Sequence, residues 1–299
     1  MYDTVEFVIC CGGEGTRNYP QTKGLPHKSF LPFGDKRLID YALQDLIRMG
    51  AKHVTIVCSN QEVIDAFKRA LATNKTVEEK LRKKGKDKIA DVLASTFLPD
   101  DIDLKYVIQA EPLGTAHVLA CVEPIMQGRH AVLLFPDDVV VPKDPANPLL
   151  KRMVDDFLTN PKRAMLMGVE REDVSNNAII VNNRLIEKPK QPFNHIAGLS
   201  PIIMCKEMIT FLAKQKDEKI AEVYATGKEW FYVDVINEFL DASGEKDGFT
   251  VEIFMKDPSD VLLDTGTLQL YEKCQLQALL QWSVFADENR QFVKELLGK

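Results

Sequence analysis

The sequence predicts an α/β protein with a parallel sheet that is covered by helices on both faces. Two observations support this fold class. Short apolar runs alternate with amphipathic stretches through the first half of the chain, which is the order of strands and helices in a parallel sheet. The apolar runs are also nearly continuous, as in strands that are buried on both faces.

The composition is that of an ordinary globular protein. Of the 299 residues, 45% are hydrophobic and 27% are charged, which excludes disordered, collagenous, coiled-coil and mucin-like classes. The formal net charge of −6 argues against a general affinity for nucleic acid. A local cluster of basic side chains on an acidic body can still bind a small polyanion.

The elements of the first half follow one another in order. Apolar runs predict buried strands at residues 5–11, 53–59, 104–109 and 131–135. Apolar residues at helical spacing predict helices at residues 38–49, 62–71 and 115–122. Residues 76–96 are rich in Lys and Glu and predict a helical excursion, which is either a solvated surface or an element that contacts a partner.

The second half has a different pattern, with shorter strands and longer helices. Strands are predicted at residues 164–170, 178–181, 185–186, 201–205 and 250–255. Helices are predicted at residues 229–240 and 268–282, with a last one ending near Leu297. No Pro/Ser-rich linker separates the halves, so we expect one continuous core.

The cysteines and the N-terminus indicate an intracellular location. The six cysteines include no CxxC pair, which predicts reduced thiols used as small core residues. The N-terminus lacks a basic n-region, and no apolar run approaches the ~20 residues of a membrane span. We expect a cytoplasmic protein that does not bind membranes.

A glycine-rich loop directly follows the first strand. Gly12, Gly13 and Gly15 leave backbone N–H groups open to close approach by an anion, most often phosphate. The dinucleotide fingerprint requires a third glycine where Asn18 stands, and no Gly-Lys-Ser/Thr sequence completes a Walker A motif. The loop therefore predicts a phosphate site of another kind.

Basic residues follow the glycines closely. Arg17 is followed by Lys23 and Lys28, which combine a bidentate fork for phosphate oxygens with compact positive charges. A triphosphate needs such a set of backbone donors and several cations. The alternative interpretation is a tight turn with basic surface residues.

Carboxylates stand at the ends of two later apolar runs. Asp137 and Asp138 follow the strand at 131–135, and Asp264 follows a run at 261–263. Ligands of open α/β sheets bind at the carboxyl ends of the strands, so this edge is shared with the glycine-rich loop. Carboxylates facing a polyphosphate are typical magnesium ligands. Each aspartate alone could equally be a helix cap or a turn residue.

Two weaker signals concern a sugar and a base. Glu187 and Lys188 end a short strand, where the carboxylate can accept hydrogen bonds from sugar hydroxyls and the lysine can bind a phosphate. Gln109 can read a base edge, and Gly114 allows a flat ring to approach the backbone. Taken alone, Glu187 and Lys188 also fit an ordinary pair of surface charges, and the segment from Gln109 to Gly114 also fits a turn before a helix.

In their order, these segments resemble the sugar-1-phosphate nucleotidyltransferases, and most of all the bacterial UTP–glucose-1-phosphate uridylyltransferases. The resemblance is most specific in residues 12–32 and continues through five later segments: 109–114, 136–138, 187–189, 229–236 and 264–266. It implies a Rossmann-like, mixed but mostly parallel sheet in a single domain, 1–299. That domain would comprise a nucleotide-binding half (1–145), a sugar-phosphate half (146–265) and C-terminal helices (266–299).

The resemblance also implies a reaction and a role for each site residue. UTP and a sugar 1-phosphate, glucose 1-phosphate in the first instance, would give a UDP-sugar and pyrophosphate. Arg17 and Lys28 would be catalytic, and Asp137 and Asp264 would hold Mg²⁺. The nucleotide would be bound by Gly12, Gly13, Gly15, Thr16, Gln109 and Gly114, and the sugar phosphate by Ala178, Glu187 and Lys188. The apolar C-terminal helices predict a homo-oligomer, either a dimer or a tetramer.

Three departures from the family pattern affect the acceptor side or the lysine. His27 is an apparent extra residue, which predicts a displaced Lys28 or a local bulge. Asn177-Ala178 stands where the family has Tyr-Gly, so the methyl group of Ala178 could alter the hexose accepted. Residues 193–197 differ from the family's Ser-Asn-Leu-Ala segment.

Alternatives to the uridylyltransferase interpretation therefore stay open. They are a nucleotidyltransferase for another sugar 1-phosphate or for dTTP, and a catalytically silent homologue that only binds a nucleotide sugar. A Rossmann oxidoreductase is disfavoured, because Asn18 stands where its third glycine should be.

Overall fold

The computed structural model describes residues 2–191 and 194–298. Its strands, in chain order, are β1 (Val5–Cys11), β2 (Pro32–Phe33), β3 (Lys36–Arg37), β4 (His53–Cys58), β5 (Asp103–Ile108), β6 (His130–Leu134), β7 (Asp138–Val141), β8 (Arg163–Glu170), β9 (Ala178–Val181), β10 (Arg184–Glu187), β11 (Ile196–Met204), β12 (Thr250–Met255) and β13 (Val261–Asp264). Its α-helices are α1 (Leu38–Met49), α2 (Gln61–Ala70), α3 (Lys75–Lys83), α4 (Asp87–Ala94), α5 (Thr115–Met126), α6 (Leu149–Thr159), α7 (Lys206–Thr226), α8 (Tyr232–Phe239), α9 (Leu268–Gln281) and α10 (Ala286–Leu296). Short 3-10 helices span Thr16–Asn18 and Lys28–Phe30, and Leu240–Gly244 forms a π-helical turn.

A nine-stranded mixed sheet flanked by helices forms the body of the protein. Its main path is β10-β9-β11-β6-β1-β4-β5, and β8 pairs with both β11 and β12. Strands β6, β1, β4 and β5 are parallel neighbours, whereas β11 is antiparallel to β6, β8 and β9. The predicted α/β class, with a mixed and mostly parallel sheet, is confirmed.

One hydrophobic core joins the two halves of the chain. Its fully buried members come from strands and helices of both halves, among them Phe7, Ile9, Leu133, Leu166, Ile203 and Val235. A smaller cluster packs α9 against β7 and β13, and its members are Leu31, Phe33, Leu38, Val139, Leu263, Tyr271 and Ala278. The proposed boundaries at residues 145 and 265 therefore divide elements that share cores, and residues 1 and 299 lie outside the described residues.

The sheet brings three strand ends to one edge. Strands β1 and β6 are parallel and in register from Val5 opposite His130 to Ile9 opposite Leu134, so the glycine-rich loop and Asp137 leave the sheet side by side. Strand β8 points the same way as β6, because both are antiparallel to β11. A separate two-stranded ribbon of β7 and β13 adds residues from late in the chain to this edge.

Several elements differ from the sequence predictions. The excursion at 76–96 is helical as predicted, but it consists of α3 and α4, separated at Gly85 with φ +68°. Helix α8 begins three residues later than predicted, and β11 begins five residues earlier. The sequence analysis overlooked β7, α6 and α7. Helix α7 buries only four of its 21 residues, so its apolar stripe is too sparse to stand out from the sequence.

The thiols and the helices agree with the sequence analysis. All six cysteines are free; Cys11, Cys58 and Cys205 are buried, as predicted for core cysteines, whereas Cys10, Cys121 and Cys274 are half-buried. Within the described ranges, no helix is both long and apolar enough to cross a membrane.

Candidate active site

A cleft of about 630 Å³ opens where these strand ends meet. It brings together five of the residues singled out from the sequence, namely Arg17, Lys28, Asp137, Lys188 and Asp264. Its lining also includes Phe135, Asp138, Arg171, Asn176, Asn177, Leu199, Gly266, Thr267 and Leu270. Basic and acidic side chains therefore face one solvent-filled space, as a site for a polyanion requires.

The glycine-rich loop packs onto the lysine that it precedes. Gly15 has φ +65°, and a Cβ there would lie 3.0 Å from Cβ of Lys28, so a glycine allows both the turn and the close contact. The buried Asn18 donates its side-chain amide to the carbonyl oxygen of Thr265 at 3.1 Å. This hydrogen bond ties the loop to the end of β13.

The extra residue His27 folds inward and leaves Lys28 in the cleft. The His27 ring accepts a hydrogen bond from the backbone N–H of Ser29 at 3.1 Å and so caps the short helix that starts at Lys28. Burial, followed by the charge of Lys28, lowers the pKa of His27 to about 3, so the ring is neutral. The ε-ammonium of Lys28 donates to Oδ2 of Asp137 at 2.5 Å.

Two carboxylates, those of Asp137 and Asp264, converge next to Gly266, and Asp138 lies on the neighbouring strand. Asp138 and Asp264 are partners in register across β7 and β13, and the backbone and hydroxyl groups of Thr265 donate to the carbonyl oxygen of Asp137 at 2.9 and 3.0 Å. A Cβ at Gly266 would lie 3.1 Å from Oδ1 of Asp264 and 3.7 Å from Oδ2 of Asp137. These two carboxylates are therefore close enough to approach one ligand.

The electrostatics of these acids favour a cation between them. Burial opposes ionisation of Asp137, but the charges of Lys28 and Arg17 outweigh it and lower the pKa of Asp137. Burial, and then repulsion from Asp137 and Asp264, raises the pKa of Asp138 well above its usual value. Carboxylate oxygens are hard ligands that suit Mg²⁺. In the described part of the chain, no three acidic, His or Cys residues form a metal cage, and a Mg²⁺ ion bound by one or two carboxylates takes water and substrate phosphate oxygens as its other ligands.

The residues expected to bind the sugar phosphate surround the end of β10. Ala178 and Glu187 are partners in register across β9 and β10, and the backbone N–H of Lys188 donates to the carbonyl oxygen of Asn177 at 3.0 Å. Burial raises the pKa of Glu187, Lys188 opposes this effect, and Asp234 adds to it. Lys188 and Asn177 line the cleft, whereas Ala178 is 2% exposed and packs inside the sheet.

The expected base-reading residues lie beside the glycine-rich loop, outside the lining of the cleft. A Cβ at Gly12 would lie 2.7 Å from Oε1 of Gln109. The side-chain amide of Gln109 donates to the carbonyl oxygen of Gly114 at 3.2 Å and lies 3.2 Å from Nδ1 of His117. Gly13 has no atom within 4 Å of its Cβ position, and Thr16 is exposed, so both are open to a ligand.

Arg171 also lines the cleft, although it was not predicted from the sequence. Its guanidinium donates from Nη2 to Oδ2 of Asp264 at 3.3 Å. Arg171 directly follows β8, whose carboxyl end lies at the same edge of the sheet as that of β6. The rule of strand ends that identified Asp137 applies equally to Arg171, once the direction of β8 is known.

The fold and the cleft define an α/β enzyme that handles phosphate groups. Cations and paired carboxylates at the carboxyl edge of a parallel sheet are typical of phosphoryl and nucleotidyl transfer. The nucleotidyl transferase family model matches residues 6–279. The chain belongs to this family.

Relatives and solved structures agree with this assignment. The chain is 25% identical over 307 residues to UTP–glucose-1-phosphate uridylyltransferase 2 of Streptococcus pyogenes serotype M3, covering 97% of the chain and 95% of that protein. It is 29% identical over 180 residues to the UTP–glucose-1-phosphate uridylyltransferase of Haemophilus ducreyi, covering 59% of each. A UDP-glucose pyrophosphorylase from Acinetobacter baumannii superposes with a TM-score of 0.75 over 97% of the chain and 99% of that structure, at 18% identity, and so supports the fold.

Gly114 is the position in this site where a side chain is least tolerated. It has φ +109°, and a Cβ there would lie 2.2 Å from the carbonyl oxygen of Trp230. We expect Gly114→Ala to lower the free energy of unfolding by about 3 kcal/mol, through backbone strain and displacement of residue 230. Gly128→Ala is a matched control with φ +75° and open space, and it should cost about 1 kcal/mol. Equal costs in urea unfolding would contradict this account of Gly114.

Proposed function

We propose that the protein transfers a uridylyl group from UTP to glucose 1-phosphate, giving UDP-glucose and pyrophosphate. One observation carries the proposal: basic side chains from both halves of the chain line one cleft, with Asp137 and Asp264 between them in the lining. Arg17 and Lys28 come from the nucleotide half, and Arg171 and Lys188 from the other half. The names of the relatives that align with the chain support UTP and glucose 1-phosphate as substrates.

The proposed reaction is an in-line displacement at phosphorus. A phosphate oxygen of the sugar 1-phosphate attacks the α-phosphorus of UTP, and the bond from that phosphorus to the bridging oxygen of the β-phosphate breaks. Pyrophosphate leaves with the electron pair. Such a reaction needs positioning and charge neutralisation more than covalent help from the protein.

Each side of the cleft has its own binding task in this proposal. On the nucleotide side, Arg17 binds the β- and γ-phosphates that leave, and Lys28 neutralises the α-phosphate in the transition state. Backbone N–H groups of Gly12, Gly13, Gly15 and Thr16 hold the nucleotide, and Gln109 and Gly114 hold the uracil ring. On the acceptor side, Glu187 accepts hydrogen bonds from sugar hydroxyls and Lys188 binds the sugar phosphate. The buried Ala178 acts on the shape of the wall only through Asn177, which lines the cleft.

We also propose Mg²⁺ as the cofactor, held by Asp137 and Asp264. The two carboxylates lie within 4 Å of one point beside Gly266. Burial, and then repulsion from Asp137 and Asp264, raises the pKa of Asp138, and a cation at this position would offset that repulsion. When bound, the ion would neutralise charge on the reacting phosphates. The two aspartates then serve to orient the phosphates relative to Lys28 and Arg17.

The proposal is tested by pyrophosphate release from the purified protein with Mg²⁺, an NTP and a sugar 1-phosphate. Fastest release with UTP and glucose 1-phosphate is expected. Faster release with dTTP, or with galactose or glucosamine 1-phosphate, would change the assigned substrates but keep the reaction type. The other sugars are included because Asn177-Ala178 departs from the family pattern on the acceptor side. Nucleotide-sugar binding without pyrophosphate release would identify a catalytically silent homologue.

Lys28→Ala tests the transition-state role of the lysine. We expect kcat to fall about 10²–10³-fold, because a positioned charge that stabilises the transition state is removed. Lys84→Ala is the control, since Lys84 is an exposed lysine that directly follows α3 and is outside the lining of the cleft, and its kcat should stay close to that of the parent. A change of only a few-fold in Lys28→Ala would remove the lysine from the mechanism.

We further propose that the protein is a cytoplasmic homo-oligomer, a dimer or a tetramer, formed through α9 and α10. Phe292 and Leu296 are 64% and 71% exposed, and they lie one helical turn apart on the same face of α10. We expect the double variant Phe292→Glu/Leu296→Glu to sediment as a monomer, whereas Val77→Glu, which changes an exposed apolar residue of α3, should not. A parent protein that sediments as a monomer at all concentrations would contradict this proposal.

A further inference from the structure

Both carboxylates to which we assign the magnesium ion are already held by protein groups. Oδ2 of Asp137 accepts a hydrogen bond from Lys28 at 2.5 Å. Oδ2 of Asp264 accepts one from Arg171 at 3.3 Å, and its Oδ1 accepts the backbone N–H of Gly266 at 3.0 Å. A metal ion that binds these carboxylates therefore competes with two cationic side chains for their negative charge.

The other two cations of the cleft, Arg17 and Lys188, are not held by any carboxylate that the structure describes. Within residues 2–191 and 194–298, no salt bridge involves Arg17 or Lys188. They can attract an incoming phosphate without breaking an ion pair. The cleft thus holds one unpaired and one paired cation from each half of the chain.

Arg171 is placed to serve the acceptor side. It follows β8, and the neighbouring Asn176, Asn177 and Lys188 line the same cleft, whereas Arg17 and Lys28 follow β1. The Arg171 side chain is 27% exposed, so it can reorient at little cost in burial. Its planar guanidinium can bind a phosphate through two parallel hydrogen bonds, which a lysine cannot do.

We propose that Arg171 is a phosphate-binding residue for the sugar 1-phosphate, and that Asp264 holds it until the metal ion takes that carboxylate. This inference rests on the proposed function. In the substrate-free protein, Arg171 neutralises Asp264; once the cation binds Asp264, the guanidinium is released and binds the acceptor phosphate beside Lys188. On the nucleotide side, Lys28 is released from Asp137 in the same way and binds the α-phosphate. The metal ion alone therefore binds weakly, and substrates and metal bind cooperatively.

The first test measures metal binding without any substrate. Mn²⁺, which electron paramagnetic resonance detects, is titrated into the protein in the absence of nucleotide. Arg171→Met should bind Mn²⁺ about fivefold more tightly, because the competing cation has been removed. Arg184→Met is the matched control: Arg184 has the same 27% exposure and pairs with Asp241 and Glu245, but it does not line the cleft. Its affinity for Mn²⁺ should equal that of the parent.

The second test separates the Michaelis constants for the two substrates. In Arg171→Met, the KM for glucose 1-phosphate should rise about 10–100-fold, the effect expected when a charged hydrogen-bond donor to phosphate is lost. The KM for UTP should change much less. Arg171→Lys should recover part of the loss, because it keeps the charge without the fork.

Unchanged Mn²⁺ affinity, or an unchanged KM for glucose 1-phosphate, in Arg171→Met would overturn the inference. If Arg171→Met does not fold, the KM for glucose 1-phosphate in Arg171→Lys decides in its place, and no increase there would overturn it. If the parent protein releases no pyrophosphate with any sugar 1-phosphate, the proposed function fails instead. The Mn²⁺ titration then still shows whether Arg171 competes for Asp264.

Discussion

The site depends on one electrostatic constraint: carboxylates gathered at the edge of a sheet need positive charge beside them. Asp137, Asp138 and Asp264 meet at this edge, and a buried carboxylate without a partner is costly. Lys28 neutralises Asp137 and Arg171 neutralises Asp264, while burial, and then repulsion from Asp137 and Asp264, raises the pKa of Asp138. Before any ligand binds, the cations and carboxylates of the cleft therefore neutralise one another. On binding, phosphates would replace the carboxylates as partners of the cations, and a metal ion would replace the cations as partner of the carboxylates.

This constraint explains how an acidic protein can be suited to a polyanion. The net charge of −6 acts over the whole surface, and salt screens it within about 10 Å. Four cations line the cleft, and two of them are already paired with carboxylates. In the proposed function, local charge would govern the binding of phosphate groups, whereas the overall charge argues against long stretches of nucleic acid.

The sequence predicted those parts of the site that depend on local order. The glycine-rich loop, Lys28 and Asp137 follow strands whose apolar runs are plain in the sequence, and parallel strands share an edge. The apolar run before Asp264 was also plain in the sequence, but the position of Asp264 beside Asp138 was not. It depends on the pairing of β13 with the overlooked β7, which lies about 120 residues earlier in the chain. Arg171 was missed because the direction of β8 depends on the antiparallel β11, which no local pattern indicates. The roles assigned to these residues stay predictions, whereas the fold class and the family are established.

The departures from the family pattern differ in their structural consequences. His27 turns its neutral ring into the core and caps the helix that carries Lys28, so packing absorbs the extra residue without moving the lysine out of the cleft. Ala178 is buried, whereas the side chain before it, Asn177, lines the cleft. Where the family pattern that the sequence resembles has Tyr-Gly, this chain therefore presents the short amide of Asn177 at the wall of the cleft. Selectivity between sugars should follow this polar substitution more than the added methyl group, since only the amide can hydrogen-bond a sugar hydroxyl.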